Sequence, residues 1–145
     1  MDYEKLKGKV DFNAIAVDAG CSGNPGAMEY QGVYLGNEQR LFHFGPIHGT
    51  NNIGEFLAFD KIAAIGGSIK KNGWDMKVYS DSVSGMAWVR NRKAKTTLKR
   101  DETTAQVLDL VIRAENWLWQ NPNHAQVLKW NTEEWGEIPA DFGRK

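Results

Sequence analysis

The order of the elements predicts an α/β fold: a five-stranded mixed sheet, three antiparallel strands then two parallel, flanked by helices. Three observations carry that reading. Strand-like runs at 12–17, 28–35 and 39–45 follow one another with only turns between them, as in an antiparallel meander. Two later strand-like runs, 76–80 and 125–130, are each preceded by helical periodicity, the arrangement that makes neighbouring strands parallel. Finally, Asp18 and Asp81 each follow directly on the last residue of a predicted strand, where sites form in open α/β sheets.

The first strand, Phe12 to Val17, is mostly apolar and ends against Asp18; three glycines and Pro25 between residues 19 and 26 then predict a turn. Met28 to Leu35 and Gln39 to Gly45 form a hairpin about Gly36-Asn37-Glu38, and residues 46–50 read as a loop. Asn51 and Asn52 are candidate caps for a helix from Ile53 to about Lys71, with Glu55 in its first turn and Gly66-Gly67 weakening or ending its regular part. Ser82 caps a short helix to about Asn91, and residues 90–100 form a basic, poorly periodic connection. Thr103 or Thr104 opens a last helix whose spacing puts Val107, Leu108, Val111, Ile112, Ala114, Glu115 and Leu118 on one face.

The chain of 145 residues is read as one domain, with 1–10 a flexible N-terminal tail and 131–145 an irregular C-terminal tail. Lys plus Arg and Asp plus Glu balance at 18 each, so attraction to a polyanion has to come from local patches. A single cysteine, Cys21, rules out an internal disulfide and a cysteine-cluster zinc site. No run approaches the ~18 apolar residues of a membrane span, and the N-terminus lacks the apolar core of a signal peptide. The expectation is a soluble, cytoplasmic protein with no membrane association.

If the strands ending at Asp18 and Asp81 are adjacent, these two carboxylates and Glu55 come within metal-bridging range, and Asp141 folds back from the C-terminal segment to join them. Clustered carboxylates repel one another and are best tolerated around a divalent cation. A donor set of oxygens without Cys or His favours Mg²⁺ or Mn²⁺ over zinc. Each of these residues alone is more often a turn, cap or first-turn helix residue; the combination carries the reading.

With Asp18 and Gly23-Asn24-Pro25-Gly26, Thr50-Asn51-Asn52 followed by Glu55, Ser80-Asp81-Ser82 and Ala140-Asp141 in place, the chain resembles ribonuclease H type 1 over roughly residues 12–142. The ending from Trp135 to Lys145 looks like that of a compact bacterial subgroup lacking a basic protrusion. The resemblance implies a ribonuclease H-like fold and hydrolysis of the RNA strand of RNA/DNA hybrids with two Mg²⁺ ions, leaving 5′-phosphate and 3′-hydroxyl ends. It implies that Asp18, Glu55, Asp81 and Asp141 are the catalytic, metal-binding carboxylates, and that Gly20, Cys21, Asn24, Thr50, Asn51 and Asn52 bind substrate, Thr50 and Asn24 gripping a DNA phosphate. Small residues and amides suit contact with 2′-hydroxyls in a wide, shallow minor groove.

Where the family's best-known members carry the protrusion, Arg90, Arg92, Lys93, Lys95, Lys99 and Arg100 offer a substitute phosphate-binding stripe, the alternative being a solvated loop. The loop Thr132 to Ile138 has no histidine of the kind that helps product leave in many members; Glu133, Glu134 and Glu137 are the groups it offers, and His124 reads as a turn residue. Asn131, at the end of the fifth predicted strand, competes with Asp141 for the fourth ligand position. The tryptophans read as core residues, with Trp88 beside the basic segment the exception that can pack on a DNA sugar. A monomer without an evident protein partner is expected. The alternative function is a non-catalytic hybrid-binding module of the same fold.

Overall fold

In the computed structural model, which describes residues 3–70, 77–121 and 126–141 with the side chains of 62–70 excepted, the sheet begins with a long hairpin. β1 (Ile15–Gly23) pairs antiparallel with β2 (Gly26–Tyr34) from Ile15↔Tyr34 to Gly23↔Gly26, and β2 pairs antiparallel with β3 (Arg40–Gly49). Across the other edge of β1 lies β4 (Lys77–Ser80), parallel to it, followed by β5 (Gln126–Lys129), parallel to β4. The order β3-β2-β1-β4-β5 is the mixed sheet expected, three antiparallel strands then two parallel pairings. Met76, Ala125 and the predicted turn residue His124 lie outside the described residues.

The hairpin differs from expectation in one respect that matters for the site. β1 does not stop at Val17 but runs to Gly23, because β2 continues to pair with it beyond the point where β4 ends. Asp18 is therefore inside a strand, paired with Gln31, and residues 19–23 are extended rather than a turn. β3 likewise reaches Gly49, taking in most of the predicted loop, with irregular register between Met28 and Tyr30 that accommodates the extra length.

β1 is buried on both faces, which is why its sequence is nearly continuously apolar. Ile15, Val17 and Ala19 face a helical layer; Ala14 and Ala16 belong to a second core on the opposite side. The helical layer contains α2 (Asn51–Lys70), α3 (Val83–Asn91) and α4 (Ala105–Gln120). Ser82 caps α3 as expected, its hydroxyl accepting from the Gly85 N–H at 2.9 Å. The cap of α2 is Thr50 rather than Asn51 or Asn52, with Oγ1 accepting from the Ile53 N–H at 3.2 Å, so Glu55 falls just beyond the first turn. α2 also continues through Gly66-Gly67 to Lys70. α4 buries Val107, Val111, Ala114 and Leu118, whereas Ile112 is turned to solvent at 48% exposure.

The second core corrects the expected tails. α1 (Tyr3–Leu6) and the following turn bury Leu6 and Val10 against Ala14, Ala16, Val33 and Tyr79. Lys77 Nζ lies 2.6 Å from Asp11 Oδ2 and holds that carboxyl below the usual range, while the Asp11 N–H donates to the Tyr79 hydroxyl. The C-terminal segment contributes Trp130, Ile138 and Ala140 to the same core and a short α5 (Thr132–Trp135). Tyr79, Trp130 and Trp135 meet edge to face, with centroids 5.1–6.2 Å apart. A sheet with only one covered face would expose Ala16 and Val33; both termini are drawn in to cover it. No helix of the described residues is long and apolar enough to cross a membrane.

One helical residue works against burial. Asp60 follows the buried run Ile53–Phe59, and its Oδ1 is buried with no hydrogen-bond partner among the described residues. Burial pushes its carboxyl up to about 6, against the opposing pull of Arg113 and Lys61. Because the folded value lies above the unfolded one, ionised Asp60 costs stability at neutral pH, and the cost disappears as pH falls through about 6 towards 4. Asp60→Asn is expected to stabilise the protein at pH 7.5 by about 1–2 kcal/mol. The gain should shrink at pH 5, as read from urea unfolding at both values; an equal gain at the two would contradict a buried titrating carboxylate.

Candidate functional site

Three carboxylates from three elements converge where the parallel pairing of β1 with β4 ends. Asp18 lies two residues beyond the last parallel pair, Ala16↔Tyr79, and is fully buried. Glu55, 2% exposed, comes from α2, and Asp81, half-buried, directly follows β4. One oxygen from each lies within 4.8 Å of the others. Glu55 Oε1 accepts from the Ala19 N–H at 3.2 Å, which fixes the helix carboxylate beside the strand one residue past Asp18.

Two glycines permit this closeness. A Cβ on Gly54 would stand 2.7 Å from the Ala19 Cβ, so α2 can rest on β1 only because that position lacks one. A Cβ on Gly85 would stand 2.9 Å from the Glu55 Cβ, so α3 is allowed against α2 in the same way. The chain around Asp81 is pinned from several sides. Ser80 Oγ accepts from the Ser82 N–H at 3.1 Å, Lys129 Nζ donates to the Asp81 carbonyl at 2.7 Å, and the Trp130 N–H donates to the Ser80 carbonyl at 2.8 Å.

Like charges this close, two of them buried, repel strongly, and a divalent cation relieves the repulsion. The donors are carboxylate oxygens only, which fits a hard cation and not one that prefers sulfur or imidazole. Asp141 is outside the group of three. Its N–H donates to the Ile138 carbonyl, and the preceding Ala140 carbonyl accepts from Gln31 Nε2 at 2.5 Å, which brings the segment beside the strand pair that carries Asp18. Asn131 caps α5, accepting from the Glu134 N–H at 3.2 Å.

The predicted substrate residues fall into two sets. Asn24, Thr50 and Asn52 line an open groove of about 440 Å³. The hairpin tip is tied to α2 there, because Asn24 Oδ1 accepts from the Asn51 N–H at 3.1 Å. Gly20 and Cys21 lie on β1 away from that lining, Cys21 Sγ facing the Gly49 carbonyl at 3.6 Å. Lys95, Thr96, Thr97, Lys99 and Trp88 line the same groove. Trp88 packs edge-on against Phe56, 6.2 Å between centroids, so its indole is rooted in the core.

The basic connection is fastened to the fold rather than loosely solvated. The Ala94 N–H donates to Glu115 Oε2 at 2.9 Å, Ala94 is buried, and Arg100 pairs with Asp109 at 2.9 Å. Lys95 and Lys99 are left exposed. Thr96 and Thr97 were not anticipated as groove residues; two hydroxyls flanked by lysines was the available signal. Lys129 and Gln31 had no signal in the sequence, since their partners are distant in the chain.

No protein-family model matches the chain. Among solved structures it is similar to the RNase H1 of the halophilic archaeon Halobacterium salinarum, with 18% identity, 83% of this chain and 86% of that one covered, and a TM-score of 0.47. It is also similar to the N-terminal RNase H domain of Rv2228c from Mycobacterium tuberculosis, at 17% identity, 83% and 90% coverage and TM-score 0.45. A third is LC11-RNase H1, from a compost metagenome, in complex with an RNA/DNA hybrid, at 18% identity, 83% and 86% coverage and TM-score 0.46. At identities and TM-scores this low, the chemistry has to be read from the side chains of this chain.

Proposed function

We propose that the protein is a ribonuclease H of type 1, a metal-dependent endonuclease that hydrolyses the RNA strand of RNA/DNA hybrids to leave 5′-phosphate and 3′-hydroxyl ends. The observation that carries this reading is the convergence of Asp18, Glu55 and Asp81 within 4.8 Å, in a fold that also holds a groove lined by amides, hydroxyls and lysines. The first feature suits divalent cations; the second suits a nucleic-acid backbone. Two Mg²⁺ ions, or Mn²⁺, bound by these carboxylates with Asp141 would supply the charge that activates water and stabilises the leaving oxygen of a phosphodiester.

The residues of the chain have separate duties in this reading. Asp18, held inside a strand, is the rigid carboxylate of the site, while Glu55 and Asp81 close it from the helix and from the end of β4. Asn24 and Thr50 hold a phosphate of the DNA strand in the groove that Lys95, Thr96, Thr97 and Lys99 also line. Gly20, Cys21, Asn51 and Asn52 contact the minor groove near the 2′-hydroxyls, where small side chains admit the RNA strand. Trp88 offers its indole to a deoxyribose. With formal charges balanced over the chain, hybrid affinity depends on the lysines of the groove, and the protein acts as a monomer in the cytoplasm.

The decisive assay is cleavage of a labelled RNA/DNA hybrid with Mg²⁺ or Mn²⁺, with duplex DNA as a second substrate. Asp81→Asn and Asp18→Asn should each lower the rate by roughly a thousandfold; undiminished cleavage by either variant would falsify the assignment. Binding of hybrid without any cleavage or metal effect would instead favour the non-catalytic module.

Thermal melts test the metal separately. Mg²⁺ at about a hundred times its dissociation constant should stabilise the wild type by about 2–3 kcal/mol, and Asp18→Asn should lose most of that gain. For the groove, the Lys95→Ala/Lys99→Ala double variant should weaken hybrid binding and flatten its log-log salt dependence by roughly 1.5 units. An unchanged slope would remove these lysines from the phosphate-binding role.

A further inference from the structure

We infer that Gln31 is a positioning residue that clamps the C-terminal segment to β2, so that Asp141 is presented to the centre formed by Asp18, Glu55 and Asp81; this rests on reading that centre as a metal site. Gln31 sits directly opposite Asp18 in the β1–β2 ladder, and residues opposite one another in an antiparallel pair point to the same face. That face is the second core, where Ala16 and Val33 meet Ile138 and Ala140. Gln31 Nε2 crosses it to donate to the Ala140 carbonyl at 2.5 Å, a bond between residues 109 positions apart. The next residue is Asp141.

The geometry distinguishes this amide from an incidental core contact. A half-buried polar side chain among Ala16, Val33, Ile138 and Ala140 costs stability unless its hydrogen bond is made. The bond fixes the carbonyl immediately before Asp141, while the Asp141 N–H donates to the Ile138 carbonyl at 2.9 Å. Both polar groups of the peptide unit that leads into Asp141 are therefore committed to partners. Because Gln31 shares a ladder rung with Asp18, the clamp also sets the segment's place along the strand relative to that carboxylate. Asp141 stands outside the three-carboxylate group, and the clamp gives it a tethered start beside the strand pair that carries Asp18.

The test uses the full chain. Gln31→Met keeps the length of the side chain but cannot donate; Gln31→Lys keeps a donor. Gln31→Met is expected to weaken Mn²⁺ binding, measured by calorimetry, by roughly tenfold. It should raise the Mg²⁺ concentration for half-maximal hybrid cleavage by a similar factor, with KM for the hybrid unchanged. Gln31→Lys should restore most of both, and Gln31→Met should add nothing in an Asp141→Ala background. The proposal is overturned if a folded Gln31→Met binds Mn²⁺ as the wild type does, or if its effect and that of Asp141→Ala multiply. Should Gln31→Met not fold, Asp141→Ala alone decides: wild-type Mn²⁺ affinity in that variant removes the clamp's purpose. If the wild type binds Mn²⁺ and only the coupling is missing, the metal-site reading stands and the clamp falls. If the wild type binds no divalent cation, both fall.

Discussion

Burial of charge at the end of the β1–β4 pairing is the constraint on which the rest of the structure turns. Asp18 and Glu55 are nearly inaccessible, and Asp81 is brought up to them from the end of β4. Such a cluster is unfavourable unless the elements that carry it are held from outside. The fold meets this by crowding: α2 lies on β1 at Gly54, α3 lies on α2 at Gly85, and β5 ties down the Asp81 carbonyl through Lys129. The scaffold thus keeps three mutually repelling groups within bridging distance of a cation.

A division of labour follows from the two faces of the sheet. The helical side supplies Glu55 and the groove walls, and its contacts are dense and local to α2, α3 and α4. The opposite side is covered by the two ends of the chain, packed around Tyr79, Trp130 and Trp135. β1 lies between them, with odd-numbered residues serving one core and even-numbered residues the other until Asp18 breaks the apolar pattern. Asp60 shows the same tension at a smaller scale, a carboxylate held in the helical layer against the preference of burial for a neutral group.

Much of this was legible in the sequence, and the failures share a cause. Strand order, the Ser82 cap, the buried face of α4 and the convergence of Asp18, Glu55 and Asp81 follow from local patterns, although Asp18 lies inside β1 rather than at its end. The glycine-rich run after Asp18 looks like a turn in isolation; it is strand because β2 pairs along its whole length. Thr50 rather than a neighbouring asparagine caps α2, its Oγ1 accepting from the Ile53 N–H, while the Asn51 N–H donates to Asn24 at the hairpin tip. Leu6, Val10, Ile138 and Ala140 read as tail residues because what buries them is the far face of the sheet. Thr96, Thr97, Lys129 and Gln31 are functional candidates only through partners or walls contributed by remote parts of the chain.

The shared second core has a consequence in time. Ala16 and Val33 are made early, whereas Trp130, Ile138 and Ala140, which cover them, are made more than ninety residues later. Contacts of such separation close late in folding. Until residues 130–140 dock, the Asp18 strand is paired on its edges yet bare on one face. The face of β1 that carries Asp18 is therefore among the later parts of the fold to be enclosed.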